Sequence, residues 1–122
     1  MRRFLFFRLL VHDRKLEKTM TQTAPDACKT MSELRAEIDS IDIELIELLC
    51  KRAGYIDRAV TLKRSENLPA RTTDRVSEVI GNVRSLADER GLDSELAAKL
   101  WHELIEWGIA REAKDLETKS SC

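Results

Sequence analysis

The chain has 122 residues, which is enough for one domain and too few for a second hydrophobic core. Only four Gly and two Pro, with 35% charged and 5% aromatic residues, form a composition typical of helical proteins. The formal net charge of −1 argues against a surface that coats nucleic acid. Cys28, Cys50 and Cys122 have no metal-ligand spacing and cannot pair evenly, so we expect a reducing cytoplasm and no metal site.

Residues 1–30 are expected to contribute little to the fold. They begin MRRFLFFRLLVH, a basic start and a short apolar run that superficially resemble a secretion signal. Arg8 interrupts the run, which is too short to span a bilayer, and no A-x-A site follows it. We interpret the segment as a disordered leader, or as residues upstream of a true start at Met20, and not as an export signal.

The first predicted helix is very long. Ser32 is a good N-cap, and the periodic pattern continues until Asn67-Leu68-Pro69 ends it. The apolar positions recur at three- and four-residue steps: Leu34, Ile38, Ile41, Leu45, Leu48/Leu49, Ile56 and Val60. We expect more than thirty residues, or about 45 Å, of helix. Since a monomer of this size cannot cover such a helix, a twofold homodimer is expected.

Two further helices are predicted after a loop at about residues 66–72. Thr72 or Thr73 should cap the second, and Gly91 should end it. Asp93 or Ser94 should cap the third, which runs to about residue 117 before a frayed tail at 118–122. The prediction is therefore an all-α domain of three helices over residues 31–117.

Two cations share the apolar face of the first helix. Arg52 and Lys63 are eleven residues apart, which at 100° per residue returns the side chain to nearly the same face. Cations directed into a core cost several kcal/mol unless anions meet them, and a small polycarboxylate substrate would supply those anions. The hypothesis fails if the Arg52 guanidinium and the Lys63 ammonium point into bulk solvent or are already neutralised by acids of the same chain.

Three segments carry a resemblance to a known family: LRAEIDSIDIELIELLCKRAGYIDRAVTLK, PARTTDRV and GLDSELAAKLWHELIEWGIARE. Through the joint spacing of Arg35, Arg52, Lys63 and Arg75, they resemble the all-helical chorismate mutase family. The upstream PDAC, together with EWGIARE, is more similar to its isochorismate-pyruvate lyase branch. The resemblance implies an intertwined homodimer of three-helix chains that needs no cofactor.

The resemblance also implies residue roles. Arg35 of the partner chain and Arg52 would bind the two substrate carboxylates, for which arginine forks are well suited. Lys63 would donate to the ether oxygen of the enolpyruvyl bridge. Glu112 stands where most bacterial members have Gln, the second donor to that oxygen. An ionised Glu112 would repel the developing oxyanion, so it could help only as a neutral acid; the alternative is an exposed acid that pairs with Arg111 or Lys114.

The remaining implied residues lie near the second and third helices. Arg75 would help to close the site, and Gly108 falls where some members use Ser. We also count Thr72 among the substrate-binding residues. Val76 departs from the pattern, because mutases commonly place there a Glu that hydrogen-bonds the ring hydroxyl, and its loss fits the lyase branch.

Three hypotheses follow. The first is a cytoplasmic, cofactor-free chorismate mutase that converts chorismate to prephenate, and the second is an isochorismate-pyruvate lyase that gives salicylate and pyruvate. Both would act on a small dicarboxylate by positioning it and by stabilising charge on the ether oxygen, with no nucleic acid or membrane partner. The third, of another class, is a non-catalytic helical dimerisation module.

Overall fold

The computed structural model describes residues 23–120, with side chains to residue 116. In that range a 3-10 turn at Pro25–Ala27 is followed by three α-helices, and the described residues contain no strand. The helices are α1 (Met31–Ser65), α2 (Thr73–Arg90) and α3 (Ser94–Ser120). The all-α class with a very long first helix is confirmed, since the 35 residues of α1 span about 52 Å. The predicted leader up to residue 22, and residues 121 and 122 of the predicted tail, lie outside the described residues.

The start of α1 differs from the prediction by two positions. The Glu33 amide donates to Thr30 Oγ1 at 3.1 Å, and the Lys29 amide donates to Glu33 Oε2 at 2.7 Å. Thr30, and not Ser32, is therefore the N-cap. The reason is that Thr30 has a glutamate three residues on, the spacing of a capping box, whereas Ser32 is followed at that distance by Arg35.

The end of α1 is where the sequence predicts it. Asn67 has φ 61°, a left-handed conformation that Asn tolerates better than most residues. The Leu68 amide donates to Lys63 O at 2.7 Å, and the Asn67 amide donates to Arg64 O at 3.3 Å. This pair of bonds is a Schellman motif, which satisfies the last carbonyls of the helix before Pro69.

The remaining helix ends also follow local chemistry. Gly91 ends α2 at φ 77°, and its amide donates to Ala87 O, as predicted for this glycine. Asp93 Oδ1 accepts a hydrogen bond from the Glu95 amide at 2.9 Å and so caps α3. Thr72 occupies the N-cap position of α2, but its side chain makes no capping hydrogen bond.

The described residues fall into two compact units divided between Leu48 and Leu49. In the second unit α2 packs on α3. Its buried apolar residues are Val60, Ala87, Ala97, Ala98 and Ile105. The small alanine side chains permit close packing of helices. No helix in the described part of the chain is both long and apolar enough to cross a membrane.

Surface ion pairs join the last turns of α1 to α3. Arg111 Nε donates to Asp57 Oδ1 at 2.5 Å and its Nη2 donates to Oδ2 at 3.1 Å, a bidentate contact. This bond lowers the pKa of the Asp57 carboxyl and raises the pKa of the Arg111 guanidinium. The guanidinium also lies 5.2 Å from the ring centroid of Trp107. Together these contacts fix the register of α1 against α3 beside the cavity described next.

Candidate active site

A cavity of about 260 Å³ lies in the second unit. It is bordered by the last turns of α1, the connection at residues 66–72, the start of α2 and the C-terminal part of α3. Six of the seven predicted site residues line it: Arg52, Lys63, Thr72, Arg75, Gly108 and Glu112. The seventh, Arg35, is an exposed residue of the first unit. The structure thus brings six of the seven predicted residues together in one cavity, while their roles stay predictions.

Lys63 and Glu112 form an ion pair inside this cavity. Lys63 Nζ donates to Glu112 Oε2 at 2.9 Å and to Ala70 O at 2.5 Å. The Glu112 side chain is only 5% exposed and that of Lys63 17%. The expectation that no acid of the chain would neutralise Lys63 is therefore wrong, and so is the alternative of Glu112 as an exposed acid. The ion pair forms because α1 packs against α3, which brings together two residues that are 49 positions apart in the sequence.

The pair leaves one donor of the ammonium available. A lysine ammonium has three N–H groups, and two of them bind Glu112 and Ala70. No third acceptor for Lys63 is found among the described residues. The remaining N–H can therefore donate to a molecule in the cavity.

Arg52 is the unneutralised cation of the cavity. Its side chain is half-buried, and no described residue accepts a hydrogen bond from it or forms an ion pair with it. A guanidinium offers five N–H donors in a planar fork that matches a carboxylate. Arg52 is therefore neither directed into bulk solvent nor neutralised by a described acid, as the hypothesis requires, and it can bind an anion.

The start of α2 contributes a polar rim. Arg75 lines the cavity, but its side chain is 64% exposed and its Nη1 donates to Glu78 Oε1 at 2.9 Å. Thr72 is half-buried beside it, with a hydroxyl that is not used to cap the helix. Arg75 is therefore paired with Glu78 on the surface, whereas the Thr72 hydroxyl can form a hydrogen bond with a bound molecule.

Gly108 gives the cavity room. It is buried within α3, and a Cβ built there would lie 3.5 Å from Ile56 Cδ1, an ordinary van der Waals distance. Its φ is outside the left-handed region, so the backbone does not demand a glycine. Val76 lines the cavity as a half-buried apolar residue, where the resemblance expects the glutamate of a mutase.

Two features of the connection were not predicted from the sequence. One is the carbonyl of Ala70, which binds Lys63, and an alanine offers no sequence signal for such a role. The other is an ion pair in which Arg71 Nη2 donates to Glu106 Oε2 of α3 at 2.7 Å. This hydrogen bond lowers the pKa of Glu106, and the same contact raises the pKa of Arg71. Only the path of the loop brings these two residues together.

Comparison with known proteins gives the family. Residues 34–113 match the family model of chorismate mutase type II, about two thirds of the chain. The chain belongs to this family. The matched range contains all seven predicted site residues, and the predicted family is confirmed. Family members act on chorismate-type substrates, so the chain is an enzyme of the chorismate mutase or isochorismate pyruvate lyase kind.

Two curated relatives are similar to the chain. An isochorismate pyruvate lyase of Pseudomonas aeruginosa is 32% identical over 91 residues, which cover 74% of this chain and 88% of the relative. A T-protein of Haemophilus influenzae is 27% identical over 84 residues, which cover 69% of this chain and 22% of the relative. The first relative thus matches over most of its own length, and the second over less than a quarter.

Proposed function

We propose that this chain catalyses a cofactor-free pericyclic reaction of a chorismate-type dicarboxylate, with isochorismate as the substrate and salicylate and pyruvate as the products. The observation that carries the proposal is the cavity in which Arg52 lies without an acid partner, beside a lysine with one N–H left to donate. A cytoplasmic location is part of the proposal.

In this mechanism the chain positions the substrate and stabilises charge. Arg52 binds one carboxylate through its fork and fixes the substrate in a folded conformation, an entropic contribution to catalysis. Lys63 donates its remaining N–H to the ether oxygen, where negative charge grows as the C–O bond breaks. A hydrogen passes from the ring to the methylene carbon of the enolpyruvyl group, which leaves as pyruvate while the ring becomes aromatic. No protein nucleophile is needed.

Two observations support isochorismate over chorismate. Val76 lines the cavity, so it offers no carboxylate to a ring hydroxyl at the position where mutases commonly have one. The relative that matches over 88% of its length is an isochorismate pyruvate lyase. Chorismate mutase activity is the second candidate, because the matching family model is that of chorismate mutase type II.

We propose further that the site is completed by a second copy of the chain. The N-terminal half of α1 exposes a run of large apolar side chains, and Ile43, Ile46 and Leu48 are each 60–62% exposed. Such a surface is typical of a protein interface. Arg35 lies on the same stretch of helix and would bind the second carboxylate in the partner's cavity.

Complementation between inactive variants tests this arrangement. Arg35→Ala and Arg52→Ala should each be inactive alone. When the two are mixed and allowed to exchange subunits, half of the dimers contain one intact site, so about a quarter of the wild-type activity should return. If mixing restores nothing while subunit exchange is demonstrated, Arg35 does not act across chains.

Incubation with each substrate separately tests the reaction. We expect salicylate and pyruvate from isochorismate, whereas prephenate from chorismate would favour the second candidate. Arg52→Ala should lose at least about 100-fold in kcat/KM. Arg58→Ala is the matched control, since Arg58 is an exposed arginine of the same helix that does not line the cavity. If neither substrate is consumed, the non-catalytic dimerisation module becomes the better hypothesis.

A further inference from the structure

A side-chain bridge holds the connection between α1 and α2 to α3. Arg71 extends from the connection, and its Nη2 binds Glu106 Oε2 at 2.7 Å. Both side chains are partly exposed, and neither lines the cavity. The bridge is therefore at the outer edge of the site.

Sequence neighbours of both partners line the cavity. Ala70 and Thr72 flank Arg71, and the Ala70 carbonyl accepts the hydrogen bond from Lys63. On α3, Glu106 follows Ile105, another residue of the cavity wall. Holding Arg71 to Glu106 thus fixes the backbone that carries two wall residues and that leads directly into α2.

We propose that Arg71 and Glu106 are a pair of positioning residues that hold the 70–72 segment against α3 and thereby keep the substrate cavity formed before substrate binds. This inference rests on the proposed function for its effect on catalysis, but the ordering of the segment stands independently. A cavity that is formed only part of the time lowers the apparent affinity by the fraction formed. Loss of the bridge should therefore raise KM and leave kcat nearly unchanged, since the bound substrate supplies its own contacts to the segment.

The expected effect is modest, because exposed ion pairs contribute little and are screened by salt. We expect Glu106→Gln to raise KM by roughly two- to fivefold. The direction is diagnostic: removing a negative charge near the site should, through long-range electrostatics alone, lower KM for a substrate with two carboxylates. A rise in KM thus separates the positioning role from a simple charge effect.

Glu95→Gln provides the matched control. Glu95 of α3 pairs with Arg84 of α2, so this substitution also breaks an exposed ion pair to α3, but neither residue lines the substrate cavity. It should leave KM unchanged. High salt should raise the KM of the wild type towards that of Glu106→Gln, and the ratio between the two should shrink.

Hydrogen exchange of the backbone amides at residues 66–72 tests the inference without any substrate. Exchange should be roughly two- to fivefold faster in Glu106→Gln than in the wild type and unchanged in Glu95→Gln. Arg71→Gln should match Glu106→Gln, and the double variant should exchange no faster than either single variant if the two residues act as a pair.

The outcomes separate this inference from the proposed function. If the wild type consumes neither substrate but Glu106→Gln loosens the segment, the function fails and the positioning role stands. If Glu106→Gln leaves both exchange and KM at wild-type values, or if the effects of the two single variants add, the pair does not position the segment and the inference is overturned.

Discussion

Replacement of Glu112 by Gln should make the enzyme faster at neutral and alkaline pH. In the structure the Glu112 carboxylate lies 2.9 Å from Lys63 Nζ, the same ammonium that would donate to the ether oxygen. An ionised carboxylate there opposes the negative charge that grows on this oxygen. Gln keeps the shape and an oxygen acceptor for Lys63, but removes the charge and adds an N–H that can donate.

The size of the gain follows from geometry. Two acceptors that share one tetrahedral ammonium, each at about the observed 2.9 Å, are roughly 5 Å apart. At an effective dielectric constant of about 20, two unit charges at that distance repel by about 3.3 kcal/mol. If about half a charge develops in the transition state, the carboxylate costs about 1.7 kcal/mol, a factor of roughly 15 in kcat.

The assay is the pH profile of kcat with the substrate that the wild type consumes. Glu112→Gln should exceed the wild type at neutral and alkaline pH and should extend the active range to higher pH, because its side chain carries no charge to oppose the ether oxygen. Glu103→Gln, an exposed acid of the same helix outside the substrate cavity, should behave as the wild type. A Glu112→Gln profile that keeps the wild-type shape, or that is lower at every pH, would refute the reasoning.

Three further variants test the cavity and the fold around it. Arg52→Lys replaces a carboxylate fork with a point charge and should lower kcat/KM by roughly 10- to 100-fold with no change in thermal midpoint; wild-type kinetics would contradict the carboxylate role. Gly108→Ala should stabilise the fold by about 1 kcal/mol, since its Cβ meets Ile56 at an ordinary distance, but should lower kcat/KM by filling the cavity; stability gained with full activity would show that the glycine does not serve the substrate. Asp57→Asn should lower the thermal midpoint at pH 7. Because Arg111 lowers the pKa of Asp57 below its ordinary 3.8, this contribution is present above that pH and lost as pH falls through the folded-state value, so an offset that persists in strong acid would contradict the assignment.

The helices were largely predictable because their signals are local. Asn67 before Leu68-Pro69, and Gly91 at the end of α2, impose left-handed backbone that ends a helix whatever the tertiary context. The start of α1 was predicted two positions late because Thr30 and Ser32 are both acceptable caps. Only the glutamate at position 33 decides between them.

The candidate site was predictable as a set of residues but not as a set of contacts. The spacing of Arg52 and Lys63 puts both on one face of α1, and both line the cavity. That Lys63 binds Glu112 depends on how α1 packs against α3, which no local pattern encodes. The Ala70 carbonyl and the Arg71–Glu106 bridge depend on the path of a short loop, where sequence specifies little beyond the turn.

The charge of the cavity bears on why a second chain would be needed. Lys63 and Glu112 offset each other, Arg75 is paired with Glu78, and only Arg52 is left unneutralised among the described residues that line the cavity. A buried ion pair such as Lys63–Glu112 seldom stabilises a fold more than apolar residues of the same volume would, so stability alone does not account for it. The pair instead holds one ammonium N–H in a fixed direction. A substrate with two carboxylates would then meet one available guanidinium in this chain. In the proposed dimer, Arg35, which is exposed on the apolar stretch of α1, would supply the other from a second copy.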